Sequence, residues 1–146
     1  MMTAPQSQVE VEPRLHPHTV VILDDDPSTL AALRRTLRGE PYDLLTAANP
    51  YQVLQWIESR DVSLVVSDLR MPEMEGTELL EEVRRRSPLT RGVILTAYPE
   101  SLQMDADLKR WVRWVIVKPW KDGWLRGTLR HLLRRGESSF DPDPGA

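Results

Sequence analysis

Four short apolar runs in this chain each stop on a reactive polar side chain, and that repeated ending restricts the fold more than any other feature. "TVVILDDDP" ends on Asp24, Asp25 and Asp26, "VSLVVSDLRMP" on Asp68, "GVILTA" on Thr96, and "RWVIVKPW" on Lys118 and Pro119. In an open parallel α/β sheet the carboxyl ends of the strands lie along one edge, where the ligand crevice forms. Residues far apart in sequence therefore converge there. An Asp after a strand is often a helix cap, a Thr at a strand end often a β former, and a Lys before Pro often solvated. All four together, in the order acids, acid, hydroxyl, lysine, point to a phosphoryl-transfer site around an acceptor aspartate.

The segments between these runs carry helical periodicity. Thr19 to Leu23 reads as a buried strand, and Leu30, Leu33 and Leu37 predict a helix over Ser28 to Arg38, ended by Gly39. Tyr42 to Ala47 is a second strand. Asn49 and Pro50 then supply a cap and a first-turn proline for a helix reaching Ser59, with Val53, Leu54 and Ile57 facing inward. Val62 to Ser67 is the third strand. Gly76 and Thr77 open a third helix, striped by Leu79, Leu80 and Val83 and closed before Pro88. Val93 to Thr96 is the fourth strand, and Pro99 to Lys109 a weaker fourth helix, because Leu102, Met104, Ala106 and Leu108 make a poor stripe. Val112 to Val117 is the fifth strand, and Leu125, Leu129, Leu132 and Leu133 define a last helix to Arg135. Five strands alternating with five helices specify a parallel sheet covered on both faces, joined by right-handed crossovers.

Residues 1–18, with Pro5, Pro13 and Pro17 among Gln, Ser and Glu, have no apolar period and read as a flexible arm; residues 136–146 read as a flexible acidic tail. The folded body is then 19–135, one domain of ordinary core size. It holds 17 acids against 18 bases, a balance without the basic footprint of a nucleic-acid binder, so no direct nucleic-acid contact is expected. Arg84, Arg85 and Arg86 fall at a helix end, where they complement the macrodipole. The chain has no cysteine, no secretory signal series and no apolar run of bilayer length. A cytoplasmic protein without membrane contact is the expectation.

Aspartates meeting at one sheet edge repel by about 4 kcal/mol per pair at 4 Å and an effective dielectric near 20. A divalent cation removes that repulsion. Oxygen-only ligands favour Mg²⁺, Mn²⁺ or Ca²⁺ over zinc, and the three histidines fall in the arm (His16, His18) and the late helix (His131). Lys118 is one of only 3 lysines against 16 arginines, a compact ammonium where the chain otherwise prefers guanidinium.

As a set, "ILDDDP", "DLRMPEMEG", "LTAY" and "VKPW" resemble the receiver domain of two-component response regulators, and the resemblance covers residues 19–135. It implies a flavodoxin-like fold with strand order 2-1-3-4-5. Residue by residue, it implies that Asp24 and Asp25 are the acidic pair binding Mg²⁺ and that Asp68 is the phosphoacceptor and a metal ligand. The backbone carbonyl of Arg70 completes the protein's share of ligands. Lys118 pairs with a phosphoryl oxygen, the Thr96 hydroxyl follows the new phosphate, and the Lys118–Pro119 bond is cis. Asp26, with Pro27, reads as a helix-start residue. The implied role is a stand-alone signalling phosphoacceptor, not an enzyme with turnover, served by a histidine kinase or a histidine phosphotransfer protein. "DLRMP" with Lys-Pro-Trp is also similar to receivers found ahead of cyclic-di-nucleotide phosphodiesterase domains.

Where the family often carries an aromatic residue on the fifth strand, this chain has Val115, with Trp114 and Tyr98 near enough in sequence to substitute. Trp111, Trp114, Trp120 and Trp124, four of five tryptophans, crowd the segment of the fourth helix, fifth strand and fifth helix. That segment reads as packing or as a homodimer or effector surface. Arg70 and Tyr98 match family positions that tune access of water to the phosphate. Two other functions use similar residues. One is a haloacid-dehalogenase-like phosphohydrolase, with Asp24 as nucleophile and Asp26 as general acid. The other is a pseudo-receiver that binds partners without phosphate.

Overall fold

Short polar side chains ahead of prolines set two of the helix starts. In the computed structural model, which describes residues 16–135, Asp26 accepts the Ser28 backbone N–H at the head of α1 (Pro27–Thr36) and Asn49 accepts that of Tyr51 at the head of α2 (Pro50–Ser59). Each cap satisfies one of the donors a helix start leaves open. Replacing Asn49 by Ala is expected to cost about 1 kcal/mol, read as a lowered urea midpoint at unchanged slope.

These helices alternate with β1 (Thr19–Leu23), β2 (Asp43–Ala47), β3 (Leu64–Asp68), β4 (Arg91–Thr96) and β5 (Val112–Val117). The remaining helices are α3 (Gly76–Arg86), α4 (Ala106–Trp111) and α5 (Asp122–Arg135). All strand pairs are parallel, in the order β2-β1-β3-β4-β5 that the resemblance implies. Successive residues point to opposite faces. Val20 and Ile22 of β1 join Leu33, Val66, Leu95, Ile116 and Leu129 under α1 and α5, whereas Val21 and Leu23 join Val53, Val65, Leu79, Ile94 and Leu108 under α2, α3 and α4. Burial on both faces explains why the central strands read as unbroken apolar runs.

The expected fourth helix over Pro99 to Lys109 is not continuous. Pro99–Ser101 makes a single 3-10 turn, Leu102 is extended, and α4 starts only at Ala106, where the Asp105 carboxylate accepts the Leu108 N–H at 2.8 Å. Local capping by Asp105 wins over the weak apolar stripe, of which only Leu108 is buried within the helix. Gly39 adopts φ +81° in the turn after α1, a conformation open to glycine at little cost. His18 is tied to the sheet: its carbonyl accepts the Asp43 N–H and its Nδ1 lies 3.0 Å from Ser63 Oγ. Residues 1–15 of the proposed arm and the proposed tail, 136–146, lie outside the described residues. Among the described residues no helix is long and apolar enough to cross a membrane.

Candidate functional site

β1, β3, β4 and β5 deliver their last residues to one edge of the sheet. Asp24 follows β1 and is 1% exposed. Its Oδ1 accepts the Asp26 N–H at 2.9 Å, and its Oδ2 accepts a hydrogen bond from Lys118 Nζ at 2.8 Å. Lys118 Nζ also stands 3.5 Å from Asp68 Oδ1, which accepts the Leu69 N–H at 2.8 Å. Carboxylate oxygens of Asp24, Asp25 and Asp68 all lie within 4.8 Å of one another. Thr96 is buried one position beyond Leu95, the register partner of Asp68. The Thr96 carbonyl accepts the Lys118 N–H at 2.8 Å, and its hydroxyl accepts the Tyr98 N–H at 2.9 Å. The Lys118–Pro119 bond is cis.

Burial raises the pKa of Asp68 above its ordinary value, and the charge of Asp24 adds to the rise; Lys118 and the Leu69 N–H oppose it without cancelling it. For Lys118, burial works against the charge, but the hydrogen bond and charge of Asp24, with the charge of Asp68, outweigh it and the pKa is raised. The lysine is therefore cationic, while Asp68 holds its proton more tightly than a solvated aspartate. Oxygens around an Mg²⁺ ion at about 2.0–2.1 Å stand at most about 4.2 Å apart. Neighbouring ligands in the octahedron stand about 3 Å apart, so carboxylate oxygens within 4.8 Å of one another must draw in by up to about 2 Å; the oxygen-only donor set of Asp24, Asp25 and Asp68 suits the ion.

Asp24, Asp25, Asp68 and Lys118 are thus brought together as the sequence reading expected. Arg70 lies two residues past Asp68 with its side chain in solvent. Asp26 is turned away from this group: its oxygens accept the Ser28 N–H and the Ser28 and Thr29 hydroxyls, and the same bonds, the Ser28 N–H first, lower its pKa. A carboxylate so engaged is a poor general acid, which opposes the haloacid-dehalogenase reading. Trp114 does not stand in for the missing aromatic at Val115. Its ring lies 6.3 Å from that of Trp124 on the α1/α5 face of the sheet, and Val115 packs on the opposite face. The four tryptophans are half-buried and divided between both faces, Trp111 alone on the α4 side.

Two contacts escape sequence inspection. Gly76 approaches the backbone of Asp68 so closely that an added Cβ would sit 2.1 Å from the Asp68 carbonyl oxygen. Trp120 Nε1 reaches Thr36 and Asp122, 84 residues away and two away respectively. Composition offered no signal for either beyond a glycine at a helix start and an indole after a proline.

A doubly wound parallel sheet whose carboxyl edge gathers three aspartates, a threonine and a lysine defines a receiver-type α/β protein. The chain matches the response regulator receiver domain family over residues 20–130 and belongs to it. It is 33% identical over 116 residues to the hydrogenase transcriptional regulatory protein HoxA of Cupriavidus necator, covering 79% of this chain and 24% of that one. It is 32% identical over 130 residues to the transcriptional regulatory protein ZraR of Klebsiella oxytoca, covering 87% and 29%. The chain therefore spans about a quarter of the length of these relatives. Among solved structures it is similar to the signal receiver domain of an HD domain-containing protein from Pseudomonas fluorescens, with TM-score 0.71, 30% identity and coverage of 84% and 98%. It is also similar to the response regulator TrrA of Thermotoga maritima in complex with Mg²⁺ and BeF, with TM-score 0.68, 26% identity and coverage of 80% and 99%.

Proposed function

We propose that Asp68 accepts a phosphoryl group from a histidine kinase or a histidine phosphotransfer protein, and that the change at Asp68 alters partner binding through the α4–β5–α5 face. The observation that carries this reading is the placement of Lys118 Nζ between Asp24, at 2.8 Å, and Asp68, at 3.5 Å. Phosphoryl transfer asks a protein mainly for positioning and charge stabilisation. A carboxylate oxygen of Asp68 attacks phosphorus in line, the bond to the donor's histidine nitrogen breaks, and that nitrogen leaves as neutral imidazole. Lys118 turns from Asp24 toward a phosphoryl oxygen, and the Thr96 hydroxyl, now accepting from Tyr98, follows another. Asp24, Asp25, Asp68 and the Arg70 carbonyl would hold Mg²⁺, which when bound supplies positive charge to the phosphoryl oxygens. Support for Mg²⁺ comes from the oxygen-only donor set and from TrrA, solved with Mg²⁺ and BeF.

With Trp114 on the wrong face, Tyr98 is the ring left to link Thr96 to the α4 side. It is 58% exposed, and its N–H must release Thr96 when the hydroxyl moves. Tyr98 and Val117, the latter 49% exposed, offer apolar surface to an effector or a second copy.

Incubation with acetyl phosphate and Mg²⁺ is expected to add the mass of one phosphoryl group to the intact protein. Continuous release of phosphate without an adduct would instead restore a hydrolase. The pKa of Asp68 also sets a pH dependence. Because it lies above 3.8, protons compete with Mg²⁺ at a pH where an ordinary aspartate is still ionised. Mg²⁺ affinity, measured by isothermal titration, is expected to weaken as pH falls toward that raised value. An affinity unchanged down to about pH 4 contradicts the assignment of Asp68 as a ligand.

A further inference from the structure

We infer that Trp120, Thr36 and Asp122 form a positioning clamp that fixes the reach of Lys118 toward Asp68. The inference rests on the phosphoacceptor reading above and concerns residues outside its catalytic set.

Lys118 sits just beyond β5, an edge strand of the sheet, between Val117 and Pro119, both exposed. Its backbone has one anchor toward β4, the N–H donated to the Thr96 carbonyl at 2.8 Å. The side chain is only 20% exposed and its ammonium donates to Asp24 at 2.8 Å, but it must leave that partner to meet a phosphoryl oxygen, and the backbone that then sets its reach needs a second restraint. Two residues on, Trp120 supplies it. Its Nε1 donates to Asp122 Oδ1 at 3.0 Å and to Thr36 Oγ1 at 3.3 Å, and the Thr36 hydroxyl donates to the same Asp122 oxygen at 3.0 Å. Arg126 Nη1 donates to the Thr36 carbonyl at 3.2 Å. The indole also packs against the α1/α5 core.

The last residue of α1, the first of α5 and the loop between β5 and α5 are thereby joined through one carboxylate oxygen. Pro119, with φ fixed by its ring, is the only residue between Trp120 and Lys118. Displacement of the indole therefore passes to the Lys118 Cα with little slack.

Trp120→Phe keeps one aromatic ring on the core and removes the donor along with the fused pyrrole; Thr36→Val removes the hydroxyl at similar volume. The measurement is beryllofluoride affinity by calorimetry at saturating Mg²⁺, with Mg²⁺ affinity and thermal midpoint alongside, in the native chain and again with Lys118→Ala. Both variants are expected to weaken beryllofluoride binding about three- to tenfold, the size of coupling seen between neighbouring groups. Mg²⁺ affinity should hold, and the same changes should have no further effect once Lys118 is Ala. Unchanged beryllofluoride affinity in both variants overturns the clamp. So does an equal loss with and without Lys118, which marks a merely structural role. A native chain that binds no beryllofluoride at all removes the phosphoacceptor reading itself.

Discussion

Asp68→Asn is expected to abolish phosphoryl uptake while making the metal-free protein more resistant to heat. The first half follows from chemistry. An amide oxygen lacks the nucleophilic charge that attacks phosphorus; of the neighbouring carboxylates, Asp24 is buried against Lys118, Asp26 is engaged as a cap, and Asp25 stands in the cluster as a metal ligand in the proposed reading. Intact-mass measurement after exposure to acetyl phosphate and Mg²⁺ should show no adduct, against one on the native chain. An adduct persisting in the variant moves the acceptor elsewhere.

The second half follows from linkage. The pKa of Asp68 is raised in the folded state by burial and by the charge of Asp24, so the folded protein binds this proton more tightly than the unfolded chain. Stability from this group therefore falls as pH rises from the unfolded value through the raised one, and stays reduced at neutral pH. Asn keeps an oxygen for the Leu69 N–H, which Asp68 Oδ1 accepts at 2.8 Å, and discards the charge. The thermal midpoint at neutral pH should rise by roughly a few degrees, with the gap between variant and native closing as pH falls below the native pKa. Saturating Mg²⁺ should raise the native midpoint and leave the variant behind, since the variant has lost one ligand. A lower midpoint for metal-free Asp68→Asn would mean that Lys118 outweighs Asp24 and burial together.

The strand ends were legible because parallel topology forces them together whatever lies between. Asp24, Asp68 and Thr96 each close a run buried on both faces, and Lys118 closes the apolar run of the half-buried edge strand β5; runs of that kind have few other places in a fold. Asp26 was legible as a cap because Pro27 behind it fixes the helix start. The beginning of α4 was not. Pro99 opens a turn as readily as a helix, and the choice of Asp105 as the cap depends on Leu108 finding the core between α3 and β5. Trp114 was misplaced for a related reason: nearness in sequence to Val115 carries no information about sheet face, and adjacent strand residues point to opposite sides. The clamp on Trp120 needed a partner from α1, 84 residues away, which no local pattern announces.

Gly76 shows how far the acceptor depends on a residue with no side chain at all, and Gly76→Ala is expected to be the most damaging single methyl the fold could receive. A Cβ there would lie 2.1 Å from the Asp68 carbonyl oxygen, 3.0 Å from Leu69 Cα and 3.1 Å from the Asp68 carbonyl carbon. All three are backbone atoms, so no rotamer change relieves the collision. The Gly76 N–H meanwhile donates to the Leu69 carbonyl at 2.7 Å, pinning the head of α3 to the end of β3. An ordinary carbon–oxygen contact is about 3.3 Å or more, so α3 or Asp68 must retreat by roughly an ångström. Overpacking of this kind costs about 3 kcal/mol or more where the neighbours are rigid, and an ångström at the acceptor costs about a hundredfold in rate. Urea unfolding should show the first and acetyl phosphate labelling the second. Gly127→Ala is the matched control: it lies in α5 with nothing within 4 Å of an added Cβ. Relief of the helical glycine there should stabilise by up to about 1 kcal/mol and leave labelling untouched. If both alanines behave like the one at 127, the close approach of α3 to the acceptor strand does not constrain the molecule.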